Sequence, residues 1–106
     1  MAKLVTGILP ALVTPFDDNL GLATDRVEPL VRSLLESDIG GFFVCGGTGE
    51  GRVMTVPERK AMGETAVKSV AGQVPVILHV GGTTTEEAVT LAAHAESVGA
   101  EAVASV

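Results

Sequence analysis

The sequence predicts an α/β fold with parallel strands. Three observations carry this. Short apolar runs begin near residues 8, 42, 76 and 102. Stretches with helical spacing of apolar residues separate them. Each connection is long enough for a helix that crosses back over the sheet, as a parallel pair requires, and such connections are right-handed. The order is strand–helix three times, followed by a strand. Two architectures satisfy it, an open doubly wound sheet and part of a (β/α)8 barrel. A complete barrel takes roughly 200 residues or more, whereas residues 1–106 supply three βα units and one further strand. A buried parallel strand with an uncovered edge is an unstable place to stop. The chain is therefore expected to be a single segment of a larger fold, or to pair with something.

The first run, Gly7-Ile8-Leu9-Pro10-Ala11-Leu12-Val13, is nearly continuous, as for a strand buried on both faces. Thr14-Pro15-Phe16 breaks it, and Asp17-Asp18-Asn19 with Gly21 reads as loop. A helix is expected from about Asp25 to Ser37, because Val27, Leu30, Val31, Leu34 and Leu35 share one face. Gly40-Gly41 should stop it as a C-cap. The second strand spans Gly41 to Gly46, and a glycine-rich turn follows to Gly51. Thr55-Val56-Pro57-Glu58 has the spacing of a capping box, with proline tolerated in the first turn. Met62, Ala66, Val67 and Val70 form the inner face of that helix, and Gly72 closes it. Pro75 to Gly81 is the third strand. Thr84-x-x-Glu87 is a second capping box, Ala88, Leu91, Ala92, Ala95 and Val98 make a stripe, and Gly99 is the stop. Ala102 to Val106 begins a fourth strand.

Composition narrows the function classes. Thirteen acidic against seven basic residues leave a net charge of −6, which argues against nucleic acid as a partner. One cysteine excludes an internal disulfide and a cysteine-rich metal cage. Hydrophobic residues make up 46%, yet no apolar run approaches the roughly 18 residues of a membrane-spanning helix. Met1-Ala2-Lys3-Leu4 leads straight into Gly7 and Pro10, so no signal peptide is expected. These features predict a cytoplasmic protein without membrane or nucleic-acid partners.

The segment richest in chemistry is Cys45-Gly46-Gly47-Thr48-Gly49-Glu50-Gly51. It leaves the carboxyl end of the second strand, where ligands bind in barrels and open α/β sheets alike. Glycines let backbone N–H groups face a small anion, and Thr48 can add a hydroxyl. No lysine follows the loop as a P-loop requires, and Arg52 stands where a dinucleotide fingerprint needs its third glycine. The loop suits a carboxylate or phosphate; a tight βα turn would use the same glycines.

Gly7-x-x-x-Ala11-x-x-Thr14-Pro15-Phe16, Gly46-Gly47-Thr48-Gly49-Glu50, Glu58-Arg59, and Pro75-Val76-Ile77 with Gly81 together resemble the dihydrodipicolinate synthase / N-acetylneuraminate lyase family. The resemblance runs through the whole chain in order. It implies the N-terminal portion of a (β/α)8 TIM barrel and a class I, Schiff-base lyase acting on pyruvate or another 2-oxo acid, with no cofactor and no metal. It also implies residue roles. Gly47 and Thr48 grip the substrate carboxylate, and Ala11 lines the pocket floor. Gly46, Gly49 and Glu50 support the loop, Glu50 by holding backbone donors, and Gly81 lets the chain pass close to the pocket. A homo-oligomer, or a missing C-terminal barrel half, is implied as partner.

Two departures from the family pattern stand out. The family's first loop hydroxyl is Thr in the synthases and Ser in the lyases, and here it is Gly47. That loop is more similar to the 5-dehydro-4-deoxyglucarate dehydratase branch, which makes a sugar-acid enzyme the alternative. Val56 and Arg59 replace the histidines of the lysine-feedback site, so inhibition by lysine is not expected. The Schiff-base lysine and catalytic tyrosine of the family would both lie beyond Val106. The sequence has no tyrosine, and Lys3, Lys60 and Lys68 are not placed to meet a ketone. The 106 residues alone are therefore expected to be inactive.

Other polar residues read more simply. Cys45 is expected to be a buried small apolar residue, and His79 a packed histidine. His94 should sit at the edge of its helix's packed face. Asp17-Asp18 suits a solvated turn, and Glu86-Glu87 a helix N-terminus. Arg52 serves either the rim of the anion site or the surface. A further possibility is a non-catalytic half-barrel that self-assembles or binds small anions. If helices cover one side of the sheet, the inner faces, including parts of Leu12, Phe43 and Leu78, should meet water. Each large side chain so exposed forfeits roughly 1.5–3 kcal/mol.

Overall fold

The computed structural model describes residues 5–106, and the leader reading of residues 1–4, Lys3 included, lies outside them. Three strands form one parallel sheet in chain order: β1 (Phe42–Val44), β2 (Val76–His79) and β3 (Ala102–Ala104). Phe43 stands opposite Ile77, and Ile77 opposite Ala102. Between them run α1 (Val27–Leu35), entered through a 3-10 turn at Thr24–Arg26, then α2 (Val56–Val70) and α3 (Thr85–Val98). The helices pack side by side over one face of the sheet. This is the consecutive neighbour order of a (β/α)8 wall, in which each helix covers its own pair of strands.

The expected first strand is present as an extended segment that makes one parallel bridge, Ala11 to Phe43, on the outer edge of β1. Phe43 N–H donates to Pro10 O at 3.0 Å and Leu12 N–H to Phe43 O at 2.9 Å. One step earlier the ladder would need an amide at Pro10, which proline lacks. Gly40 N–H bonds to Ile8 O at 2.7 Å instead. At the other end Cys45 turns left-handed, with φ of 59°, and leaves the sheet. The ladder is thus cut at both ends by identifiable residues.

The strands are covered on one face, which corrects the expectation of double burial. Phe42, Val44, Val76 and Leu78 are buried under the helices, while Phe43 and Ile77 on the opposite face are half-buried. Leu12 and Leu78, expected to meet water, are 1% and 6% exposed because they point at the helices. Of the three residues named for the open face, Phe43 alone belongs to it. Ile8, Val13 and Val103 are exposed at 73%, 50% and 47%.

The helices follow the stripes read from spacing. Val27 and Val31 of α1, Met62, Ala66 and Val70 of α2, and Leu91 and Ala95 of α3 are buried. The end of α1 differs from expectation. Its C-cap is Glu36 in right-handed geometry, four residues before Gly40. Gly40 and Gly41 serve a close approach instead: a Cβ on Gly40 would lie 1.5 Å from Thr6 O, and one on Gly41 2.7 Å from Pro75 O. The capping box at α2 is complete. Glu58 N–H donates to Thr55 Oγ1 at 3.2 Å, and Thr55 N–H to Glu58 Oε1 at 2.8 Å. At α3 half of it forms, Glu87 N–H to Thr84 Oγ1 at 3.1 Å, and the Glu87 carboxylate lies toward Gly82 instead. Ala71 in left-handed geometry caps α2 just ahead of Gly72, and Gly99, with φ of 90°, caps α3.

Candidate functional site

The glycine loop stands at the carboxyl end of β1, and its shape is set by where side chains cannot be. A Cβ on Gly46 would lie 2.4 Å from the Phe43 ring, on Gly49 2.8 Å from Leu12 O, and on Gly51 1.9 Å from Cys45 O. Real Cβ atoms do not approach that closely, so these three glycines are demanded by packing. Gly47 differs, since nothing lies within 4 Å of a Cβ built there. Two backbone bonds close the loop: Glu50 N–H to Gly47 O and Gly51 N–H to Gly46 O, both at 3.1 Å. Neither uses the amide of Gly47 or Thr48, and both of those residues are exposed. Glu50 takes left-handed geometry, with φ of 60°.

A third constraint comes from the first segment. Thr14, 5% exposed, donates its hydroxyl to Gly49 O at 2.6 Å. Together with the Leu12 contact, this fixes the loop to the segment carrying Ala11. Ala11 lies on the uncovered face opposite Phe43 and is exposed. The supporting role expected of the Glu50 carboxylate is not what holds the loop. That side chain points outward and makes no hydrogen bond among the described residues; the Glu50 backbone and Thr14 do the holding. Gly81 is buried at the end of β2, and a Cβ there would lie 3.0 Å from the His79 ring and 3.1 Å from Ser105 Oγ. Its close approach is thus to those two residues.

The sequence reading missed a second clamp. Arg59 on α2 is 5% exposed. Its guanidinium donates to Gly81 O at 2.8 Å and His79 O at 2.6 Å, and lies 3.3 Å from His79 Nδ1. The signal was present, since Arg59 shares the helical stripe of Met62, Ala66 and Val70. A cation on an apolar stripe needs acceptors inside, and the carbonyls of His79, the last residue of β2, and of Gly81 just beyond it supply them. His79 is 5% exposed, as a packed histidine. Burial, with the Arg59 charge adding to it, holds its pKa below 6.5, against a smaller opposing contact with the Cys45 backbone. Burial likewise pushes the Cys45 thiol up to about 11, with Arg59 opposing. A thiol so protonated and 3% exposed is a core residue.

The remaining candidates fall as expected for structural residues. Asp17 Oδ1 accepts from Asn19 N–H at 2.8 Å and Gly21 N–H at 2.9 Å, so that carboxylate is spent on its own turn. His94 lies 4.0 Å from Glu64 between α3 and α2. Val56 and Arg59 line one polar cavity of about 140 Å³ with Arg52, Thr55, Thr83 and Glu87. No described helix is long and apolar enough to cross a membrane.

A parallel βα wall with a glycine loop at its carboxyl end defines a class by architecture, the (β/α)8 barrels. The comparisons narrow it to one family. The model of the dihydrodipicolinate synthetase family matches residues 4–106, and the chain belongs to that family. Over its whole length it is 40% identical to a 4-hydroxy-tetrahydrodipicolinate synthase of Methanopyrus kandleri and 40% identical to an N-acetylneuraminate lyase of Citrobacter koseri, covering 36% of each. A solved prophage protein of the dihydrodipicolinic acid synthase family from E. coli K12, in complex with pyruvate, superposes with a TM-score of 0.92 at 32% identity. That match covers 97% of this chain and 35% of the other. The chain thus spans about a third of the length of the relatives it matches. Its fold is the N-terminal portion of their (β/α)8 barrel.

Proposed function

We propose that this chain carries the carboxylate-binding part of a Schiff-base lyase acting on pyruvate or another 2-oxo acid. The observation that carries the reading is the braced loop. Three sterically required glycines and the Thr14 bond hold residues 46–51 rigid while the Gly47 and Thr48 amides are left out of the loop's own bonding. Amides aimed in advance at an anion cost little reorganisation when it arrives. The carboxylate accepts from Gly47 N–H, Thr48 N–H and the Thr48 hydroxyl, with Ala11 as the floor beside it. Arg52, exposed beyond the loop, adds positive potential at the rim.

The covalent step belongs to a lysine outside these 106 residues. Its neutral amine attacks C2 of the 2-oxo acid and water leaves. The resulting iminium draws electrons from C3, so that a C–C bond there can form or break. Lys68 is exposed on α2 and paired with Glu64 at 3.2 Å, and Lys60 lies on the same helix, so neither amine is desolvated beside the loop. The protein works in the cytoplasm, and its open edges are covered by the rest of a barrel or by further copies. Inhibition by lysine is not expected, because Val56 and Arg59 stand in place of the family's feedback histidines.

Borohydride reduction in the presence of pyruvate tests the reading. A reduced adduct is expected on a lysine beyond residue 106 and on none of Lys3, Lys60 or Lys68. An adduct on one of those three, or none anywhere in a protein that contains this chain, overturns it.

A further inference from the structure

Arg59 reaches from α2 to the end of β2 and is fixed there by two carbonyls. Nη1 donates to Gly81 O at 2.8 Å and Nη2 to His79 O at 2.6 Å. Nη2 also stands 3.3 Å from His79 Nδ1. A guanidinium has no lone pair to offer, so Nδ1 is the acceptor in that contact and the neutral ring carries its proton on Nε2. Nε2 is buried and bonds no other side chain among the described residues. The register sets the backbone of Cys45 beside this ring, because Val44 stands opposite Leu78. Cys45, Arg59 and His79 line one void of about 10 Å³. The ring's contact with the Cys45 backbone raises its proton affinity, as an N–H facing a carbonyl does. Cys45 is in turn the root of the glycine loop. It turns left-handed with φ of 59°, and a Cβ on Gly51 would lie 1.9 Å from its carbonyl oxygen and one on Gly49 3.0 Å from its nitrogen. With so little slack, a shift of the Cys45 peptide is a shift of the loop.

We infer that Arg59 and His79 are positioning residues for the carboxylate loop: Arg59 fixes the ring with its proton on Nε2, and that N–H holds the Cys45 carbonyl from which the loop departs. This rests on the carboxylate-site reading above. It adds a second brace, from the β2 side, to the one that Thr14 supplies from the first segment. Neither residue touches the substrate. A histidine that only filled space would be replaced as well by leucine as by glutamine. A positioning histidine would not, since glutamine offers an N–H near the place of Nε2 and leucine offers none.

The test uses the whole protein that contains this chain. Nitrogen chemical shifts of the His79 ring, identified by their loss in His79→Gln, report the tautomer. Calorimetric titration gives the pyruvate Kd in wild type, Arg59→Met, His79→Gln and His79→Leu. A bare Nδ1 and a protonated Nε2 are expected in wild type, and a mixture of tautomers in Arg59→Met. The Kd should rise at least about tenfold in Arg59→Met and His79→Leu but less than about threefold in His79→Gln, the difference being one buried hydrogen bond. In wild type the Nε2–H signal should also move saturably as pyruvate is added, a readout that stands even where a variant fails to fold. A wild-type proton on Nδ1, an Nε2–H signal unmoved at saturating pyruvate, or equal Kd values in His79→Gln and His79→Leu overturns the inference and leaves the carboxylate site standing. Wild type that binds no pyruvate overturns the carboxylate-site reading itself, and this inference with it.

Discussion

Thr14 spends its only donor on the carbonyl of Gly49, 2.6 Å away in a dry environment. Valine has nearly the same shape and cannot make that bond, so the Gly49 carbonyl would be left buried and unsatisfied. Thr14→Val is expected to cost about 1–3 kcal/mol by urea unfolding and to weaken 2-oxo-acid binding, because the loop loses its tie to the first segment. Unchanged stability and affinity would mean that packing alone holds the loop. His79 gives a second prediction at this scale. Its folded pKa is held below the ordinary 6.5 by burial and by Arg59. Below that ordinary value the unfolded chain binds a proton that the folded chain refuses, so folding loses free energy as pH falls. Above it both states are neutral and the residue adds no slope. Stability should therefore decline as pH drops below about 6.5, and His79→Gln should flatten that part of the decline. An unaltered pH profile in the variant would assign the slope to other groups.

Helices and their caps were the most legible elements, because their signals are local. The stripes of α1, α2 and α3 contain Val27, Val31, Met62, Ala66, Val70, Leu91 and Ala95, which are buried, and Gly99 closes α3 as read. The two Thr-x-x-Glu boxes looked alike in sequence and are not alike in the fold. Glu58 returns to Thr55 N–H, whereas the Glu87 carboxylate lies toward Gly82. Thr55→Ala should cost about 0.5–2 kcal/mol, and Thr84→Ala less, measured as urea midpoints at one protein concentration. Equal losses would show that the return bond contributes nothing. The end of α1 was misread for a non-local reason: Gly40-Gly41 answers to Thr6 and Pro75, which a linear pattern cannot display. The loop's glycines were legible as a turn after β1, but Cβ geometry was needed to separate Gly46, Gly49 and Gly51, which have close neighbours, from Gly47, which has none among the described residues. The Arg59 clamp was missed because charge led the residue to be read as a replaced ligand rather than as a member of the α2 stripe.

At the scale of the whole chain, the described residues form one layer of helices on a sheet whose other face they do not cover. Continuous apolar runs implied burial on both faces, and the second cover is not supplied by these residues. Ile8, Val13 and Val103 are 73%, 50% and 47% exposed, and each large apolar group left in water forfeits roughly 1.5–3 kcal/mol. Against a total stability of about 5–15 kcal/mol, such losses matter. A polypeptide of these 106 residues should therefore self-associate at micromolar concentration in sedimentation experiments, or bind a hydrophobic dye without melting sharply. A monomer with a sharp, cooperative melt would contradict this account of the open face.

The central claim is that the Gly47 and Thr48 amides hold the carboxylate of a 2-oxo acid, and it can be read at those atoms. Amide chemical shifts followed during a titration with pyruvate are the most direct measurement. The account predicts saturable shifts that are largest at Gly47 and Thr48, smaller at Ala11, and reduced in Thr14→Val. Shifts centred on the N-termini of α2 or α3, or none at Gly47 and Thr48 at saturating pyruvate, would contradict it.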